Sequence, residues 1–301
     1  MSIATKDFKT KIGALIGKKP DVIGIELTTY CPLNCTYCSR ELNENKDREL
    51  SWEDFLLMEE KVQNFNTITL CGMGEPMFYS RIYDVVHALR DKQIVIITSG
   101  TILIDFAKLN KYRNVKMISF SVDAANEEEM KNIATRYNWE NLINNLKPTR
   151  PIIKIINCTV GEHNYKILPE IARFAVKHKL VAISFTMAYL NEDKEKDVHK
   201  LVQPYLEEAK SIVKAGGVAY TDSFSAAKCI YIDSIIPFIN IDGDVFPCCR
   251  GVNCGQSAGN IYNETFDKLW EGDIYQAFTK GSLCENDCWL YEDRVIGEGN
   301  S

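Results

Sequence analysis

The sequence predicts an α/β protein, a partial (β/α)6 half-barrel followed by a small cysteine-rich domain with a β-hairpin. Three observations carry this. Six short β-rich runs alternate with amphipathic helical stretches between Asp21 and Ala188, the pattern of parallel strands joined by crossover helices. Six units fall short of the eight that close a barrel, which leaves a lateral gap for a substrate. Beyond Gly216-Gly217 the pattern changes to short strands around Asp242-Gly243-Asp244, and six of the eleven cysteines lie from Cys229 onward.

The strands are read at residues 22–28, 67–71, 93–98, 115–121, 151–158 and 181–186. They are mostly apolar on both faces, as a parallel sheet covered by helices requires. Amphipathic periodicity predicts helices from Trp52 to Phe65, Ile82 to Leu89, Tyr165 to His178 and about His199 to Ala215. Asp-Gly between two β runs marks a hairpin, and a helix from Glu264 to Trp270 follows it. The expected division is residues 1–215 for the barrel core and 216–301 for the second domain.

Hydrophobic residues at 46% and charged residues at 25% of 301 are ordinary globular proportions and exclude disorder or coiled coil as whole-chain readings. No apolar run reaches the ~18 residues of a membrane span, and the N-terminus has no secretory signal, so a cytoplasmic protein without membrane contact is expected. The net charge is −6 with no basic block. From Cys229 onward there are 12 Asp and Glu against 4 Lys and Arg, which disfavours nucleic acid there.

In a reducing compartment, clustered thiols point to metal ligation or redox chemistry. Nine of the eleven cysteines fall in two groups; Cys71 and Cys158 end apolar runs and read as small buried hydrophobes. CPLNCTYC (31–38) places Cys31, Cys35 and Cys38 directly after the first strand, where parallel α/β folds put their chemistry. Iron–sulfur clusters normally take four cysteines, so three local thiolates leave one iron open to a ligand. Spacing alone also fits zinc with a distant fourth ligand.

Two further motifs stand at strand ends. GMGEP (72–76) follows the second strand, and SFSVD (119–123) closes the fourth. With CPLNCTYC they resemble the radical S-adenosylmethionine (SAM) superfamily, in the expected order. The resemblance implies that Gly74 and the Glu75 carbonyl meet the SAM amino group, that Ser121 and Asp123 meet its ribose and carboxylate, and that the Tyr37 backbone meets adenine. Ser99, in the TSG segment after strand three, stands where relatives often carry Asn and joins the SAM set.

The second group resembles the SPASM/twitch extension of that superfamily. Cys229-x13-Gly243-x4-Cys248 and a closing Cys284-x3-Cys288 imply one auxiliary four-iron cluster held by Cys229, Cys248, Cys284 and Cys288. Cys249 and Cys254 are left over, and a zinc ribbon is the competing structural reading. Arg250 reads as solvated or paired, and the four histidines (His87, His163, His178, His199) as non-ligands.

The resemblance implies two 4Fe-4S clusters, SAM, and a reductant such as flavodoxin or ferredoxin. It implies reductive cleavage of SAM to a 5′-deoxyadenosyl radical, hydrogen abstraction, and oxidation of the substrate radical through the auxiliary cluster. No catalytic acid or base is assigned. Only 30 residues precede Cys31, short of a leader-peptide recognition domain, so a small hydroxylated metabolite is expected ahead of a ribosomally made peptide or protein side chain. A non-enzymatic electron-transfer or metal-binding scaffold is the alternative of another class.

Overall fold

Strand β1 (Val22–Ile25) starts a parallel series with β2 (Thr67–Leu70), β3 (Gln93–Thr98), β4 (Val115–Ser121), β5 (Ile153–Val160) and β6 (Ala182–Met187), in the order expected from the sequence. The computed structural model describes residues 20–38, 40, 46–149, 151–188, 198–224, 236–248 and 257–279. Between the strands run α1 (Trp52–Lys61), α2 (Ile82–Ala88), α3 (Phe106–Leu109), α4 (Glu127–Ile133), α5 (Trp139–Leu146) and α6 (Leu168–Lys177). Several starts are set by local chemistry. Ser51, Asn126 and Asn138 each accept a backbone N–H of the first turn of α1, α4 and α5, respectively, and a proline opens α6.

A seventh parallel strand, β7 (Ala219–Asp222), follows α7 (Gln203–Ala215) and pairs with β6. Its sequence, AYTD, is half-polar and sits at the sheet edge, so it lacks the apolar run that marks the other six.

The hairpin is built by β8 (Phe238–Ile239) and β9 (Asp244–Phe246), which pair antiparallel. Gly243 sits between them at φ 84°, the left-handed region that the tight turn demands. Strand β8 also pairs parallel with β1, and β10 (Gly259–Asn260) extends the other side of β9. One open sheet of ten strands results, ordered β10-β9-β8-β1-β2-β3-β4-β5-β6-β7. Helices α8 (Phe266–Glu271) and α9 (Asp273–Thr279) follow, with Phe266, Trp270 and Tyr275 in mutual ring contact.

The two faces of the parallel sheet differ, which corrects the expectation of apolar cover on both. Ile94, Ile96, Ile118, Phe120, Ile156, Val160, Ile183 and Phe185 are fully buried on the helix-covered face. Their alternating neighbours, among them Val95, Ser121, Asn157, Thr159, Ser184 and Thr186, are only half-buried. A curved half-barrel carries its helices on one side, so its concave side is a lumen and need not be apolar. Among the described residues no helix is long and apolar enough to cross a membrane.

Candidate functional site

Four segments that leave the carboxyl ends of β1 to β4 are tied together by hydrogen bonds, and the segment after β5 closes the group. The first is the cysteine loop, residues 31–38. Its base is held because the Glu75 N–H donates to the Tyr30 carbonyl at 2.8 Å. Gly74 permits that approach: a Cβ there would fall inside 3 Å of the Thr28 and Tyr30 carbonyl oxygens. Thr36 N–H donates to the Ile133 carbonyl at the end of α4 at 3.0 Å, fixing the middle of the loop.

Glu75 is buried, and its carboxylate accepts from the Thr98 hydroxyl at 2.6 Å, from the Ser99 N–H at 2.7 Å and from the Ser99 hydroxyl at 2.6 Å. It also accepts the Met77 N–H at 3.0 Å. The side chain thus stitches the second strand end to the third, while its backbone carbonyl accepts from the Phe78 N–H at 2.8 Å. Ser99 spends its hydroxyl on Glu75, while its carbonyl accepts from the Tyr137 hydroxyl.

Asp123 lies just past β4 and is 1% exposed. Its carboxylate accepts from the Tyr37 hydroxyl and, at 2.6 Å, from the Thr159 N–H. Burial pushes its pKa up to about 6 against the opposing pull of Tyr37, Thr159 and the Cys158 thiol. The Tyr37 ring stacks on His163 with centroids 4.6 Å apart and planes at 12°. Burial pushes the His163 imidazole down to about 4, and its Nε2 is buried with no hydrogen-bond partner among the described residues.

Cys31, Cys35 and Cys38 are half-buried. Burial pushes the Cys31 thiol up to about 11 and raises Cys35 further, with Asp123 and the other two thiols adding to the rise at Cys35. Without metal, Cys31 and Cys35 are therefore neutral thiols, and cluster binding must displace their protons. Among the described residues no three His, Cys, Asp or Glu side chains converge on a single-ion site. The three thiols nonetheless lie within electrostatic reach of one another, an arrangement that fits a multi-iron cluster held at three corners.

The structure thus brings Tyr37, Gly74, Glu75, Ser99 and Asp123 around the cysteine loop, with Ser121 one pleat below on the lumen face. Cys158 is fully buried as expected, whereas Cys71 is half-buried. Of the second group only Cys248, half-buried after β9, is described; Cys229, Cys284 and Cys288 lie outside the described residues, as do Cys249, Cys254 and Arg250. Tyr137 and His163 are site residues that sequence reasoning missed. Tyr137 sits in no motif; His163 follows Gly161 at the end of β5, and that strand-end position was the available signal.

Residues 25–175 match the model of the radical SAM superfamily, and residues 229–289 match SPASM, an iron–sulfur cluster-binding domain. A tungsten-containing aldehyde ferredoxin oxidoreductase cofactor-modifying protein of Pyrococcus furiosus is 23% identical, covering 88% of this chain and 86% of that protein. The fold is similar to that of Streptococcus suis SuiB bound to its precursor peptide SuiA, with TM-score 0.67 and 15% identity over 92% of this chain and 70% of that one. It is also similar to anSMEcpe with bound AdoMet and the Cp18Cys peptide, with TM-score 0.66 and 17% identity over 90% and 87%. Strand-end motifs, a three-thiol loop and a family match over half the chain agree, and this protein belongs to the radical SAM superfamily, with a C-terminal SPASM domain.

Proposed function

We propose that the protein is an oxidoreductase that removes a hydrogen atom from a C–H bond of a neutral, hydroxyl-bearing small molecule held in the lumen, the substrate radical then losing one electron to an auxiliary cluster and its hydroxyl proton to solvent. One observation carries the choice of substrate. Ser121, Asn157, Ser184 and Thr221 are register partners across β4 to β7, and Thr159 and Thr186 form the next row. Asn157 Nδ2 donates to the Thr186 hydroxyl at 3.2 Å. These rows offer hydroxyl and amide groups and no charge, so they complement a ligand rich in neutral donors and acceptors.

When bound, the N-terminal cluster with SAM supplies one-electron cleavage of the sulfonium and hence a strong hydrogen abstractor, and the C-terminal cluster supplies an electron acceptor. The residues of the chain do the rest. Cys31, Cys35 and Cys38 hold the first cluster. Gly74 lets the backbone approach SAM, and the Glu75 carbonyl, one lone pair of which accepts the Phe78 N–H, takes the SAM amino group with the other while the Glu75 side chain fixes that backbone. The Tyr37 backbone borders adenine, and the Ser99 and Ser121 hydroxyls border the pocket between SAM and the polar rows. Cys229, Cys248, Cys284 and Cys288 hold the auxiliary cluster, and a flavodoxin or ferredoxin delivers the electron. Orientation by the polar rows places one C–H against the abstractor.

The test is isotopic. Reconstituted protein given SAM and a low-potential reductant is expected to form 5′-deoxyadenosine, and Cys35→Ala to form none. Deuterium from a C–D bond of a cyclic polyol or aminocyclitol is expected in the 5′-deoxyadenosine. Deuterium arriving only from a labelled peptide would establish the peptide-modifying reading instead, which the exposed Ile97 and Ile153 on the lumen face would serve.

A further inference from the structure

The resemblance to the superfamily places Asp123 among the groups that touch SAM, yet both of its carboxylate oxygens already accept from protein donors. One oxygen takes the Tyr37 hydroxyl, the other the Thr159 N–H at 2.6 Å, and the buried Cys158 thiol donates as well. The side chain is almost wholly enclosed, so a ribose hydroxyl reaching it would have to displace one of these donors.

The surroundings of Asp123 are braced too. Asn164, 2% exposed, donates through Nδ2 to the Asp123 carbonyl at 3.1 Å and to the Thr159 carbonyl at 3.0 Å, and accepts the Gly161 N–H at 3.0 Å. The Gly161 site would not hold a Cβ without meeting the His163 ring, so the glycine lets that ring lie where it stacks on Tyr37. Tyr37 is thereby held at two points, its hydroxyl at the end of β4 and its ring against the segment after β5. It is also one of the two residues between the second and third cysteines, directly before Cys38.

We propose that Asp123 is a positioning residue that, through Tyr37, locks the loop bearing Cys31, Cys35 and Cys38 onto the ends of β4 and β5 before any cluster is bound. The cost of ordering the eight-residue thiol loop is then met by folding rather than at cluster assembly. This rests on reading the three thiols as the cluster ligands, but the lock itself belongs to the cluster-free chain.

The experiment uses Tyr37→Phe, Asp123→Ala and the double variant of the full chain. In cluster-free protein, amide hydrogen exchange of residues 31–38 is expected to rise about tenfold in each single variant, the effect of losing one buried hydrogen bond to a carboxylate. Amides of β2 and β3 should keep parental protection. The double variant should exchange no faster than the faster single, because both remove one shared interaction. After reconstitution, iron of the N-terminal cluster should pass to a ferrous chelator faster in both singles. Parental exchange in Tyr37→Phe, with SAM affinity lost only in Asp123→Ala, would overturn the proposal and make Asp123 a direct SAM ligand. If Asp123→Ala does not fold, Tyr37→Phe, which removes a single oxygen and keeps the ring stack, decides by itself. Failure of the cluster reading would show separately, as parental protein that binds no iron through Cys31, Cys35 and Cys38 while the exchange pattern holds.

Discussion

Glu75 illustrates how one side chain serves two ends. Its carboxylate gathers Thr98, Ser99 and Met77, so its own backbone is fixed, and the carbonyl of a residue before proline is kept extended. Gly74 beside it is needed for space rather than for an unusual φ. Gly74→Ala is expected to destabilise the protein by about 1–3 kcal/mol, since the clash is with backbone carbonyls that cannot rotate away. The same change should abolish SAM binding. Urea unfolding and equilibrium dialysis check the two outcomes, and a neutral substitution would mean that Thr28 and Tyr30 can retreat.

At the scale of elements, the hairpin is docked mainly by backbone. Gly24 N–H donates to the Pro237 carbonyl at 2.7 Å and Glu26 N–H to the Ile239 carbonyl at 2.9 Å, which makes β8 a strand of the core sheet. Arg48 adds a two-pronged ion pair to Asp242 at the hairpin tip, at 3.1 and 2.7 Å. Both side chains are well exposed, so a double-mutant cycle with Arg48→Ala and Asp242→Ala is expected to give a coupling of only about 0.2–1 kcal/mol, shrinking with added salt. A larger, salt-insensitive coupling would mean that the ion pair, and not the β1–β8 ladder, holds the hairpin in place.

Across the whole molecule, Glu26 sits where core and hairpin meet. It is 2% exposed, accepts the Met73 N–H at 2.7 Å, and has its pKa pushed up to about 7, chiefly by burial and slightly by Asp242, against the pull of the Met73 and Ile241 N–H groups. A carboxyl whose folded pKa is raised binds protons more tightly when folded. Its contribution is therefore fully present below about 4.5 and is lost as pH rises through 7, by up to on the order of 3 kcal/mol. Glu26→Gln should carry a fixed offset instead, so the stability of the parent relative to the variant is expected to fall between pH 4.5 and 7. Parallel pH profiles of the two proteins would show that Glu26 stays ionised in its buried site. The two cysteine groups set a second expectation at this scale, about eight irons per reconstituted chain. Changing Cys248 and Cys288 together to Ala should leave 5′-deoxyadenosine formation near parental while oxidised product falls far more. Undiminished product in a variant with normal circular dichroism would reduce the auxiliary cluster to a structural staple.

The sequence by itself determined the parallel series and the site's location. Alternating apolar runs and helical periodicity located β1 to β6 in order, because both report local geometry, and the cysteine spacing located the loop after β1. Asp242-Gly243 located the hairpin turn for the same reason. Tertiary structure decided what no local pattern encodes. The polar edge strand AYTD became β7 only by pairing with β6, and β8 joined the core only by lying beside β1. Period two told which residues share a face, but not that one face would be left as a lumen lined by Ser121, Asn157 and Ser184. It placed Asp123 at a strand end and could not say that Tyr37, 86 residues earlier, would take its carboxylate. Side-chain partners are set by which distant segments the sheet brings together, and that information resides in the packing of the whole chain.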